Sequence, residues 1–541
     1  MSRSTLVLPL AAAACFAQSW ADGSDRFPHE TDSEAGSSAA TSTGTTTTTG
    51  EPPQTVTGTT WPGTTDLVTG SSTSEGPAAQ PPEISSFTVE PDTLHEAGTA
   101  EVHAVVSDDV VSLQLRVDGE EVWAGPPAEF EWSFAATSKA ASEGTYTLEL
   151  VARDSEGLTA SATAMLWVTM PDTGAERCAF TEDVGAGRLT AAVYSEDALV
   201  VVGALANPSY QATVWRLDPD SCQPQAGYPW QLSQWSPQPM PTTSEAVGLA
   251  LDAEGRMVIA ANIGAGLSRR PYLAVLSPEG ALEWEYVGPM GQTYSGVTAA
   301  PNRFVVVGEV HVNPNDNNNP PTYDGLVESF DAAGTKVWSR ILAAPLPGDD
   351  FADNNNDLAE HPRALKWQEE SQTLLVVGER LVRENIIFKW TRAFSARYTA
   401  NGALVGAWTS SGLDGDEDGL LAVATCSGKP VAAGWVSSGP NSSTTATRWL
   451  DPLGNGDKRR IDNLADASMR AVACDREQKI SAVAATDTDA YVVGFKSSDD
   501  PFLFNQLFPQ ATLAAVDCDS RGFCAAAGLL GNHAWVRVHH P

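Results

Sequence analysis

Positive charge is scarce in this chain: Lys and Arg number 32 in 541 residues, against 68 Asp and Glu, for a formal charge of -36. Nucleic acids and anionic membrane surfaces are gripped by an excess of cations, so neither is an expected partner. No two cysteines are adjacent, no Cys-x-x-Cys occurs, and the eight histidines do not cluster, which removes the usual ligand sets of zinc and iron–sulfur centres. GxSxG and HExxH motifs are missing too, so no standard nucleophile or zinc-protease signature marks His29, His95, His103, His311, His361, His533, His539 or His540. His539 and His540 end the chain and read as a frayed, solvated terminus.

What is present begins with "MSRSTLVLPLAAAACFAQSWADG", an Arg in a short polar start, an apolar run and small residues. The run is too short to span a bilayer and reads as a secretory signal over residues 1–21. Two cleavages compete. "AAAAC" resembles a lipobox with Cys15 as the lipidated first residue, while "SWA" before Asp22 suits ordinary signal peptidase. Either one places the protein outside the cytoplasm, as a surface or outer-membrane lipoprotein or a secreted protein, with a lipid anchor as its one membrane attachment. Of seven cysteines, six remain once Cys15 is set aside, an even number that suits disulfides in an oxidising compartment. Residues 22–80 are Ser, Thr, Gly, Pro and acids with almost nothing apolar to bury, the composition of a disordered stalk.

From Pro82 the pattern becomes β. In "TYTLELVARD" the residues Tyr146, Leu148, Leu150 and Ala152 share one face, the period-2 alternation of a half-buried strand, and Asp118-Gly119 supplies a hairpin turn. About seven strands over residues 82–170 resemble a bacterial immunoglobulin-like or PKD-like sandwich, without the Cys and Trp hallmarks of antibody domains. The resemblance implies a spacer.

Residues 176–541 repeat. An apolar strand turns into a second one ending in Gly, and an aromatic strand then closes on Asp-x-x-Gly, as in "YSGVTAAPNRFVVVGEV" with "LVESFDAAGTKVWSRI". Seven such units of about 54 residues fall in the range of propeller blades. The last unit stops after "AWVRVHH" without an outer strand, and "ERCAFTED" stands alone before the first. Residues 176–182 are therefore expected to complete the seventh blade by strand exchange. The fold class is all-β: a sandwich followed by a seven-bladed β-propeller. "VVVG", then "DxxG", then Trp, as at Trp284, Trp338 and Trp408, resembles the delta-60-type and PQQ-like repeats of bacterial cell-surface proteins. That resemblance implies a binding or scaffold role and brings in quinoprotein dehydrogenases, whose adjacent Cys-Cys pair this chain lacks.

The loops are the candidate chemistry. "VNPNDNNNPPTYDG", "LPGDDFADNNNDLAEH" and "SGLDGDEDG" should emerge on one face, because in an antiparallel blade the connection of strands two and three opens beside the entry to the next blade. They gather Asp316, Asp324, Asp349, Asp350, Asp353, Asp357, Asp414, Asp416 and Asp418, hard oxygen donors suited to calcium, of which Asp353, Asp357, Asp414, Asp416 and Asp418 are the candidate ligands. Turn chemistry accounts for the same residues without a metal. For disulfides, Cys518 and Cys524 flank a turn, Cys178 and Cys222 form the N-terminal pair, and Cys426 and Cys474 occupy equivalent places in neighbouring units. The expected function is a monomeric surface protein presenting a propeller face to a protein or glycan, with an acid-based hydrolase or lyase as the alternative.

Overall fold

Alternation of apolar and polar residues builds the N-terminal sheets, whereas second strands of the C-terminal sheets, such as Met257–Ile263 and Ile480–Ala485, are buried along their whole length. The computed structural model describes residues 80–540 except 184, 186, 196, 207–209, 236–242, 312–322, 343–358, 384–388, 411–416, 427, 438–442, 451–455, 463, 465–466, 476 and 497–500. The described residues belong to one compact unit, Gln80–Pro541. Its N-terminal part is a two-sheet sandwich. A three-stranded sheet (Ile84–Glu90, Gly98–Val106, Trp132–Ala136) faces a five-stranded one (Thr93–Leu94, Thr159–Val168, Gly144–Asp154, Val110–Val117, Glu120–Gly125). Leu113, Leu115, Leu148, Leu150 and Leu166 fill the space between them. Asp118 and Gly119 take positive φ in the hairpin between Val110–Val117 and Glu120–Gly125.

The remainder is a β-propeller, and its described residues form seven four-stranded antiparallel sheets. The innermost strands are Arg188–Tyr194, Ser244–Leu251, Gln292–Ala300, Glu360–Gln368, Glu417–Cys426, Ser468–Cys474 and Ala511–Cys518. Six sheets are consecutive meanders. The seventh takes its fourth strand from far upstream, Glu176–Asp183 pairing antiparallel with His533–His539. The strand that stands alone in the sequence thus fills the sheet that lacks one.

A bulge at one register position of every inner strand explains the repeat. The unpaired residues are Thr190, Val247, Ser295, Arg363, Leu421, Arg470 and Ala514. Each is followed by Ala or Gly: Ala191, Gly248, Gly296, Ala364, Ala422, Ala471 and Ala515. Opposite the bulge, in the second strand, stands the Gly of "VVVG". A Cβ on Gly203, Gly308, Gly378, Gly434 or Gly528 would overlap an inner-strand carbonyl oxygen, so the bulged backbone occupies the side-chain space. Ala261 and Ala484 hold this position in the second and sixth sheets.

The Asp-x-x-Gly turn has a similar origin. Trp284 on the second sheet's outer strand packs where a Cβ on Gly334 would sit, 2.7 Å away, and donates its indole N–H to Ala332 O at 3.0 Å. Trp338 meets Gly402 at 2.6 Å and donates to Ala400 O at 2.9 Å, and Trp230 lies against Gly280 in the same way. These glycines serve the left-handed turn and the neighbour's indole together.

The face of the ring that carries the turns between first and second strands is the under-face, and the sandwich packs there. Arg177, at the start of the closing strand, donates to both Glu96 oxygens at 2.6 and 2.8 Å and to Asp220 at 2.8 Å. Its guanidinium stacks 4.0 Å from the Phe523 ring centroid, and Arg521 lies 5.0 Å away. Ser138 of the sandwich donates to Glu477 of the sixth sheet at 3.2 Å. One apolar cluster runs through the sandwich core, Met170, and the first and seventh sheets. A packed junction of this kind is more than the spacing element the sequence suggests. Three disulfides staple the same side: Cys178–Cys222 joins the closing strand to the first sheet, Cys426–Cys474 joins the fifth and sixth inner strands, and Cys518–Cys524 closes a hairpin.

The chain end differs from the expectation of a frayed terminus. His539 is 2% exposed, and His540 is buried against Phe523. The reason is the closing strand: His540 N–H donates to Ala175 O and Gly174 N–H to His540 O, so the last residues are covered on both sides.

Candidate functional site

A central channel of about 630 Å3 is lined by the inner strands from just past their bulges to the turns at Glu369, Glu370 and Gly428, on the side of the under-face. Leu249, Val297, Leu365, Val423, Val472 and Val516, two residues past the bulges of the second to seventh sheets, contribute to its wall, and Lys366, Glu369, Glu370 and Asp517 are its charged members. Burial pushes the Asp517 carboxyl up, against the pull of the Tyr194 backbone N–H it accepts at 2.8 Å.

At the level of the bulges, on the opposite face and outside the channel lining, runs a belt of polar contacts, each joining one sheet to the next. Arg188 of the first sheet pairs with Glu245 of the second, which also takes Arg269 at 3.3 Å. Asn262 of the second holds the Tyr294 backbone in the third through both amide atoms, at 2.8 and 2.9 Å. Glu309 of the third contacts His361 Nδ1 at 2.8 Å and Arg363 at 3.6 Å in the fourth. Glu379 of the fourth accepts Arg363 at 3.0 Å and the Trp435 indole N–H of the fifth at 2.7 Å. Register sets this arrangement. Asn262, Glu309, Glu379 and Trp435 each follow the glycine or alanine opposite the bulge, and Arg363 is itself a bulged residue.

Two carboxylates therefore converge on one guanidinium. The Glu309 and Glu379 side chains are 16% and 12% exposed. Burial alone would raise the Glu309 carboxyl, but the His361 hydrogen bond and the charges of Arg363 and Arg269 outweigh it and hold it below the ordinary range. A carboxylate held ionised in this way accepts hydrogen bonds and does not donate protons near neutral pH.

The belt changes at the sixth sheet. Arg470, on the bulge, is solvent-exposed and makes no hydrogen bond or ion pair with any described residue. Burial of part of its surroundings lowers its proton affinity, opposed by the charge of Glu379, with smaller effects from Arg363, which lowers it further, and Asp487, which raises it.

Sequence-derived site residues fall as follows. Asp418 is 2% exposed within its strand, its Oδ1 accepting Ala393 N–H at 3.0 Å and its Oδ2 accepting Ser410 Oγ–H at 2.6 Å. It is a strut between the fourth and fifth sheets. Gly419 is needed because a Cβ there would meet Glu379 Oε1 at 2.5 Å and Trp435 Nε1 at 2.6 Å. Asp324 is buried, which pushes its carboxyl up. Asp316, Asp349, Asp350, Asp353, Asp357, Asp414, Asp416 and Cys15 lie outside the described residues. Among the described residues no group of three or more His, Cys, Asp or Glu could hold a metal ion. Arg363, Arg470, Glu309 and Glu379 escape a motif search because no linear spacing relates them; alignment on the "VVVG" glycine would have found Glu309 and Glu379, each the next residue.

Sheet topology defines the class of the C-terminal part, a β-propeller. No protein-family model and no curated protein matches the chain. Among solved structures it is similar to the Dos1 propeller, at 10% identity over 66% of this chain and 94% of that one, with a TM-score of 0.40. It is similar also to the β-propeller domain of the Trilobed protease from Pyrococcus furiosus, at 8% identity over 65% and 95% of the two chains and a TM-score of 0.39. The quinohemoprotein alcohol dehydrogenase ADHIIG from Pseudomonas putida HK5 gives 9% identity over 68% and 76%, with a TM-score of 0.38. These likenesses concern the fold and carry no activity to this chain.

Proposed function

We propose that the chain is an exported binding protein, in which an immunoglobulin-like module and a seven-bladed propeller closed by strand exchange present the loop-bearing face to a surface protein or glycan. One observation carries this reading over hydrolysis: Glu309 and Glu379, the two shielded carboxylates that converge at the mouth, both engage Arg363. A glycosidase-type pair needs one carboxyl kept protonated beside a second, and the guanidinium and imidazole beside Glu309 favour its ionised form; Asp517, whose carboxyl burial raises, lies apart from them in the channel wall. The sandwich contacts described above all involve the under-face, which supports the opposite face as the one offered to a ligand. Three cystine bridges support an oxidising compartment, reached after cleavage at Cys15 or before Asp22.

Site-specific photo-crosslinking on the producing cell tests this. A benzophenone side chain at Thr512, exposed at the mouth, is expected to capture a discrete adduct that one at Asn505, exposed on an outer strand, does not. Equal labelling from both positions would overturn the assignment of the face.

A further inference from the structure

The repeat register shows what Arg470 lacks. Arg363 and Arg470 occupy the same bulge position two sheets apart. Arg363 has two carboxylates: Glu379, following the glycine on its own second strand, and Glu309, at the same place in the preceding sheet. The corresponding residues around Arg470 are Ala485 on its own second strand and Trp435 in the preceding sheet. Both acids are replaced, one by a methyl group and the other by an indole whose N–H is already given to Glu379. A guanidinium in the fixed fork geometry that elsewhere in the belt is paired with carboxylates stands here beside a truncated side chain, with Glu379 and Asp487 near enough for their charges to act on it but in no ion pair with it.

The geometry points to a ligand-binding site in which the carboxylate of an incoming molecule takes the place of the missing glutamate, paired with Arg470 over Ala485 and beside Trp435. Below it the body of the ligand meets an apolar wall, since Val472 and Val423 line the channel two residues past the bulges of the sixth and fifth sheets, and Leu421 separates the two arginines. The ligand class is a carboxylate on a slim apolar body, either a free aliphatic acid or the C-terminus of a peptide ending in an apolar residue. This rests on the loop-bearing face being the binding face.

The test is calorimetric titration of the full chain with two probes: hexanoate, and a pentapeptide ending in Leu with a free or an amidated C-terminus. Saturable binding is expected to weaken by about tenfold or more in Arg470→Leu and less in Arg470→Lys, as for a charge-assisted hydrogen bond. Ala485→Glu supplies the missing acid from within and is expected to abolish binding while leaving the fold intact by circular dichroism. Preference for hexanoate identifies a free acid, and preference for the free over the amidated peptide identifies a chain end. Absence of binding by either probe, or equal affinity in the wild type, Arg470→Leu and Ala485→Glu, would overturn the site. If Thr512 crosslinking persists in Arg470→Leu while titration fails, the binding-face reading stands and the carboxylate site falls.

Discussion

Arg177 on the under-face and Arg470 on the other face belong to one chain poor in cations, yet their surroundings are opposite. Arg177 is stacked on Phe523 and hydrogen-bonded to Glu96 and Asp220, with its side chain 7% exposed. Arg470 has an alanine where its register-mate Arg363 has a glutamate. A buried guanidinium bonded through all three of its nitrogens and stacked on an aromatic ring serves the fold, because its removal leaves a cavity at Phe523 and takes the shared partner from Glu96 and Asp220. An exposed one without an ion pair contributes little to folding and is available to a partner. Burial and pairing, more than residue type, separate the two roles.

The comparison can be broken most forcefully at Phe523, fully buried between two guanidiniums and within the cluster shared by sandwich and propeller. Phe523→Ala is expected to cost about 3–5 kcal/mol, read by urea denaturation, and an unchanged midpoint would show that the under-face junction is not structural.

Acid probes the same side. Burial, aided by the positive charges of Arg537 and His540, pushes the His539 imidazole down to about 3 from its ordinary 6.5. The unfolded chain takes this proton near pH 6.5 and the folded chain does not until about pH 3, so the contribution to stability is complete above 6.5 and falls as pH drops. Between pH 6.5 and 4.5 the loss is about 2.3 kcal/mol, because the unfolded imidazole is already half protonated at pH 6.5 and each further unit costs about 1.36. His539→Leu should flatten that slope in thermal melts across the range; an unaltered slope would exclude His539 as its source.

At the mouth, Glu379→Gln keeps an acceptor for Trp435 and removes the charge facing Arg363, an expected cost of about 1–3 kcal/mol. Arg470→Leu, by contrast, should leave stability within about 0.5 kcal/mol of wild type, and a large drop in melting temperature would make Arg470 structural like Arg177.

Much of the scaffold was readable in advance because it is periodic. The glycine of "VVVG", the Asp-x-x-Gly turn and the outer-strand Trp each answer a local steric demand repeated from sheet to sheet, and repetition makes such demands visible. The orphan strand before the first repeat was legible for the same reason. The mouth was not. Arg363 and Arg470 are 107 positions apart (470 − 363), and what relates them is a bulge whose own residue varies from Thr and Val to Arg while only its small neighbours repeat. Asp418 and Gly419 show what linear spacing leaves out: the last positions of a spacing suited to a calcium loop hold a buried strut and a glycine excluded from having a side chain by the Glu379–Trp435 hydrogen bond. The ending "VHH" looked solvated because the strand that covers it, Glu176–Asp183, lies more than three hundred residues upstream (533 − 183 = 350).

The closing strand also decides how the molecule bears a load. Tension arriving from the N-terminal side reaches Glu176–Asp183 first and would peel it from His533–His539 one rung at a time, the weakest way to load a β-ladder. The Cys178–Cys222 bond lies at the leading end of that strand and passes the pull to the first sheet, so the ring cannot be unzipped from its seam while the bridge is intact. Under a load applied from that side, a reducing agent would turn the seam into a fuse.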